Sequence, residues 1–134
     1  MFLHAMTKEE RVTFVGLAKA LVEADGVAHE AEKEMLRTIS LEAGAALDDV
    51  SPRALDDTLP NAFATSRSRR AVVFELLGIA YADGSLHRGE STFIGALARQ
   101  FSIAEEELIW MERWVARQLA LASEAERFLE QGMV

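Results

Sequence analysis

Apolar residues recur along this chain with the three-to-four spacing of helices, and nowhere do they alternate over the length of a strand. Thr7-Lys8-Glu9-Glu10 has the form of a capping box and opens a first helix expected to run to about Ala24. Its segment VTFVGLAKALV is apolar on nearly every face, as a helix surrounded by other helices must be. A second, amphipathic helix is expected from about His29 to Ala43, stopped by Gly44. Ser51-Pro52 reads as an N-cap with proline at the first helical position, opening a short third helix, and Leu59-Pro60-Asn61 reads as a break. A fourth, strongly apolar helix covers about 67–82, and a fifth runs from about Arg88 to Gln100. Ser102-Ile103-Ala104-Glu105 is a further capping box, opening a long last helix with a break expected near Ser123.

This pattern predicts an all-α, single-domain bundle of six to seven helices spanning residues 1–134. Within it, a first hairpin covers about 7–44, a second about 66–101, and a closing helix or helices about 102–131. The two hairpins repeat each other. The stretch ADGVAHEAE at 24–32 returns as ADGSLHRGE at 82–90, so that Asp25, Gly26, His29 and Glu32 match Asp83, Gly84, His87 and Glu90. Beyond the motif, Met35-Leu36 aligns with Phe93-Ile94 and Ile39 with Leu97, which keeps the apolar face of the second helix in each copy. Two hairpins packed about a pseudo-two-fold axis are the simplest fold for such a chain.

Charge and composition narrow the function. A net charge of −8 repels a nucleic-acid backbone, and the short cluster Arg67, Arg69, Arg70 reads as the solvated start of a helix. There is no cysteine, which excludes disulfides, thiolate metal sites and cysteine nucleophiles and fits a reducing cytoplasm. MFLHAM lacks the features of a signal peptide, and AVVFELLGIAYA at 71–82 is too short to span a bilayer and contains Glu75. That glutamate stands where the first copy has Leu17; a rim position or an arginine partner is the expectation. Peripheral membrane association stays open.

The repeated motif has two readings. In the first, each glycine leaves a helix in the left-handed region, and His29 and Glu32, with His87 and Glu90, form capping boxes with histidine in place of serine. Asp25 and Asp83 then accept backbone N–H groups in the turns. In the second, Asp25, Glu32, Asp83 and Glu90 form one acidic site for a divalent cation, with His29 and His87 at its edge, because all six are competent ligands. The ion's identity is open. An EF-hand is excluded, since its first ligand position would fall on Leu21 or Ile79.

Two helical hairpins, each with A-D-G-x-x-x-x-x-E, resemble the tellurite-resistance TerB-like family, whose domain is also found in a membrane-anchored DnaJ-type co-chaperone. The resemblance covers about residues 7–120. It implies an all-α fold of about seven helices, a stress-response role, and a divalent-cation site on acidic residues that map here to Asp25, Glu32, Asp83 and Glu90. That family commonly carries serine or another polar residue where this chain has His29 and His87. No J-domain His-Pro-Asp is present.

An enzyme is disfavoured by the sequence, which has no nucleophile elbow, phosphate loop or HExxH. The expected function is a small non-enzymatic module that holds a divalent cation and docks protein partners; the alternative is a metal-free adaptor whose motifs only cap helices. On the last helix, Trp110, Trp114 and Leu121 flank a second stripe of Leu108, Met111, Val115, Leu119 and Ala122. Both stripes are expected to be buried in the monomer, with a homodimer through Trp110 and Trp114 as the competing use of the face.

Overall fold

The computed structural model describes residues 1–24, 26 and 29–133, and among these the regular structure is entirely helical. Six α-helices follow one another: α1 Lys8–Glu23, α2 Glu30–Ala43, α3 Leu59–Ala62, α4 Ser66–Ala80, α5 Arg88–Gln100 and α6 Glu105–Gln131. The expected all-α bundle is therefore observed.

Helices α1 and α4 are the centre. Phe14, Leu17, Leu21, Val72, Leu76 and Ile79 are fully buried, as their near-continuous apolar runs require. Each central helix packs against the next helix in sequence, α1 on α2 and α4 on α5; α1 packs on α4; and the cross contacts α1 with α5 and α2 with α4 complete the set. Exchanging α1 with α4 and α2 with α5 leaves this pattern unchanged. It is the arrangement a duplicated hairpin produces when its two copies bury their apolar faces on each other. Helix α6 then lies along α4.

Capping chemistry sets several boundaries. At α1, the Thr7 hydroxyl accepts the Glu10 N–H at 3.1 Å, and a Glu10 carboxylate oxygen accepts the Thr7 N–H at 2.8 Å. Gly44, at φ 73°, ends α2 while the Ala45 N–H reaches back to the Ser40 carbonyl.

Four expectations are corrected. Ser51-Pro52 opens no helix: residues 51–56 run without helical structure across α1, where the Arg53 N–H donates to the Gly16 carbonyl at 2.9 Å. The short helix forms instead at Leu59–Ala62, where Pro60 falls in the first turn and lacks only an N–H that no intrahelical acceptor would take. Ser102 does not cap α6. It sits at φ 58° and ends α5, its N–H bonded to the Arg99 carbonyl and the Ile103 N–H bonded to that of Ala98. Burial of Ile103 at the following position holds that turn, and Ala104 becomes the N-cap of α6. Finally, α6 continues unbroken past Ser123, because a capping-box pattern inside a run of good helix formers has no chain reversal to make it a start.

The first residues pack on the core: Leu3 and Met6 are buried, with a 3-10 turn at Leu3–Ala5. A fifth expectation, for Glu75, also differs. Glu75 is buried, not at a rim, and its partner is no arginine: its carboxylate lies 2.8 Å from the Met1 amino group and also accepts the Phe2 N–H. No helix among the described residues is long and apolar enough to cross a membrane.

Candidate metal centre

The repeated motifs occupy the two hairpin turns. After α1 the Gly26 N–H bonds to the Glu23 carbonyl at 3.0 Å; after α4 the Gly84 N–H bonds to that of Tyr81 at 2.8 Å. Gly26 has φ 72° and Gly84 φ 96°, as expected. A Cβ added at either would meet nothing within 4 Å, so glycine serves the left-handed backbone and not a close approach. The chain then re-enters a helix through extended residues, His29 at the N-cap of α2 and His87 at that of α5. In each copy a glutamate at the third helical position turns back: Glu32 accepts the His29 N–H at 3.3 Å, and Glu90 accepts the His87 N–H at 3.4 Å. Both glutamates are buried.

The cross-hairpin geometry brings the two turns together. The imidazoles of His29 and His87 stack with centroids 4.5 Å apart and planes 14° from parallel. Asp83 lies beside both: its Oδ2 is 2.7 Å from His87 Nε2 and 3.8 Å from His29 Nδ1. Its other oxygen accepts the Ser85 N–H at 3.2 Å, which fixes the carboxylate's direction. The hydrogen bond from the His87 ring holds the Asp83 carboxyl below the usual carboxylate range; partial burial opposes this, and the Ser85 N–H and the charges of both histidines add to it. One potential ligand atom from each of His29, Asp83 and His87 lies within 4.8 Å of the other two. All three side chains keep access to solvent, at 36%, 20% and 33% exposure.

Among the described residues, Glu32 and Glu90 are not in this group. One oxygen of each serves its cap, and the second oxygen of Glu32 is buried with no hydrogen-bond partner among the described residues. Asp25, the repeat mate of Asp83, lies outside the described residues. The sequence places carboxylates at the middle and imidazoles at the margin; the structure brings two imidazoles and one carboxylate within ligand distance. The repeat itself carried the signal, because the N-cap positions of two symmetry-related hairpins must lie near their common axis for the rings to stack. The positions that an EF-hand would use for its first ligands, Leu21 and Ile79, are fully buried in the core.

These features define a small all-α bundle of paired hairpins with a His/Asp/His constellation between their turns. Residues 53–113 match the family model for tellurite resistance protein TerB, a stretch that includes the second motif, α4, α5 and the start of α6. The resemblance carried by the repeated motif is borne out over that stretch. No curated protein and no solved structure matches the chain.

Proposed function

We propose that this chain is a non-enzymatic TerB-like module that takes up a divalent cation at its paired hairpin turns and presents the bundle to protein partners in a cytoplasmic stress response. The observation that supports it is the convergence of His29, Asp83 and His87, two residues from one hairpin and one from the other. A tetrahedral ion with bonds of about 2.0–2.1 Å separates neighbouring ligand atoms by roughly 3.3 Å. The 2.7 and 3.8 Å distances straddle that value, and to ligate one ion the stacked rings would also turn so that both in-plane lone pairs point at it. Two imidazoles and one carboxylate suit a borderline cation such as Zn²⁺ better than Ca²⁺ or Mg²⁺, which prefer oxygen alone. Asp25 is the natural further ligand by the repeat, while Glu32 and Glu90 hold the backbone of the two histidines.

A metal-free reading has its own observation. The Asp83–His87 hydrogen bond and both glutamate caps are complete without an ion, and they would stiffen the turns of an adaptor. Thermal melts of the whole chain with zinc, manganese, magnesium and calcium against a chelator separate the two. Zinc at a hundredfold excess over Kd adds about 2.7 kcal/mol, or roughly 10 °C at the midpoint. Asp83→Asn should remove most of that rise while the far-ultraviolet circular dichroism stays helical. If no ion moves the midpoint, or the variant responds as the parent does, the motif is capping chemistry alone.

A further inference from the structure

Contrary to the expectation that both apolar stripes of α6 are buried, the stripe of Trp110, Trp114 and Leu121 is only partly covered by its own bundle, through the contacts of the two tryptophans with Phe74. At 100° per residue, Trp110, Trp114, Leu121, Ala125 and Phe128 fall within an arc of about 60°, while Met111 and Val115, on another side, are buried in the core. The face opens toward its C-terminal end: Leu121 is 61% exposed and Phe128 56%, while Trp110, 57% exposed, meets Phe74 edge-on and Trp114 is half-buried beside Phe2 and Phe74. A row of large apolar groups repeating every three to four residues, in a protein of net charge −8, is shaped for another helix and poorly suited to an anionic membrane or a nucleic acid.

The charges along its edge select the partner. Arg113 and Arg117 border the N-terminal half of the face and Glu124 borders the C-terminal half, all three exposed and outside the ion pairs formed among the described residues. In a second copy laid parallel, the edge carrying Arg117 and Glu124 lies across the seam from the same edge of its partner, so the two charges do not meet. Laid antiparallel about Leu121, it sets Arg117 against Glu124 twice, Trp114 against Phe128 twice, and Leu121 against itself. The face is complementary to its own reverse, which is the condition for a closed two-fold interface.

We infer that α6 pairs with α6 of a second copy of this chain in an antiparallel homodimer centred on Leu121. At its N-terminal end the interface adjoins the contacts that Trp110 and Trp114 make with Phe74 of α4, and its formation needs no cation at the hairpin turns.

Sedimentation of the full chain in chelator tests it. The parent should sediment as a dimer, and Leu121→Glu, which puts two carboxylates at the centre of the interface, should sediment as a helical monomer. Arg117→Glu should weaken the dimer about tenfold through two reversed contacts, and Arg117→Glu combined with Glu124→Arg should restore it. A parent that stays monomeric overturns the pairing, as does a dimer indifferent to Leu121→Glu. If the charge-swapped chain is no tighter than Arg117→Glu alone, the antiparallel register is wrong. Because Leu121 is exposed, the substituted chain keeps its core, and unchanged circular dichroism separates lost pairing from lost folding.

Discussion

Glu10 shows how one side chain can hold two elements. It is buried at 6% exposure; one carboxylate oxygen caps α1 through the Thr7 N–H, and the other accepts the Ala64 N–H at 2.9 Å, just before α4 begins. Burial alone would push its carboxyl up. The N–H groups of Thr7 and Ala64 and the hydroxyls of Ser68 and Thr7 outweigh burial and set it below the ordinary value of 4.5. A carboxyl depressed in the folded state contributes stability that is present above the unfolded value and is lost as pH falls through the folded one. Urea titrations of Glu10→Gln should therefore give a flatter loss of stability below about pH 4.5 than the parent. At neutral pH the variant should be less stable by about 1 kcal/mol, the usual scale of a helix cap. An acid limb as steep as the parent's would place the titrating group elsewhere.

Among the elements, the segment between α2 and α3 departs furthest from local sequence rules. It is laid over α1 by Lys19, whose ammonium donates to the carbonyls of Leu47 at 2.6 Å and Val50 at 2.7 Å, and by the Arg53 bond to Gly16. The approach is close enough that a Cβ on Gly16 would stand 2.9 Å from the Ser51 carbonyl oxygen and 3.0 Å from Arg53 Cβ. Alanine gains up to about 1 kcal/mol over glycine inside a helix, while overpacking against backbone costs about 1–3 kcal/mol. The clash wins because a carbonyl oxygen cannot swing aside as a side chain does. Gly16→Ala should lower stability by about 1 kcal/mol in chemical denaturation, with amide shifts concentrated at residues 50–53. A more stable variant would show that the segment rests loosely on α1.

For the whole molecule, duplication matters more than any single helix. The proposed cation site lies on neither hairpin alone: His29 comes from the first and Asp83 with His87 from the second. His29→Gln and His87→Gln should therefore each remove most of the zinc-induced rise in melting temperature, although the substitutions fall in different halves of the chain. Calorimetric titration with zinc checks the same point. Full response in His29→Gln would confine the site to the second hairpin. The repeat is also broken in the core, where buried Leu17 of α1 answers to buried Glu75 of α4. A carboxylate at a position able to hold leucine needs compensation, which the Met1 amino group and Phe2 N–H provide.

Much of this was legible in the sequence, because its signals are local. The spacing of apolar residues dictates which stretches are helical and which helices lie at the centre; Thr7 with Glu10 and the glycines at 26, 44 and 84 mark helix ends, since capping and positive φ act within a few residues. The register of ADG-x-x-H-x-x-E marks the two turns, since it recurs at a fixed offset after each apolar helix. Tertiary structure decided what depends on distant neighbours. Ser51-Pro52 carries a good helix start but is held flat by Gly16 and Lys19; Ser102 carries a capping pattern but yields to the burial of Ile103. The choice of imidazoles over glutamates beside Asp83 was decided there too, because a helix cap and a ligand site compete for the same carboxylate, and only the packing of one hairpin on the other determines which side chains face across the axis.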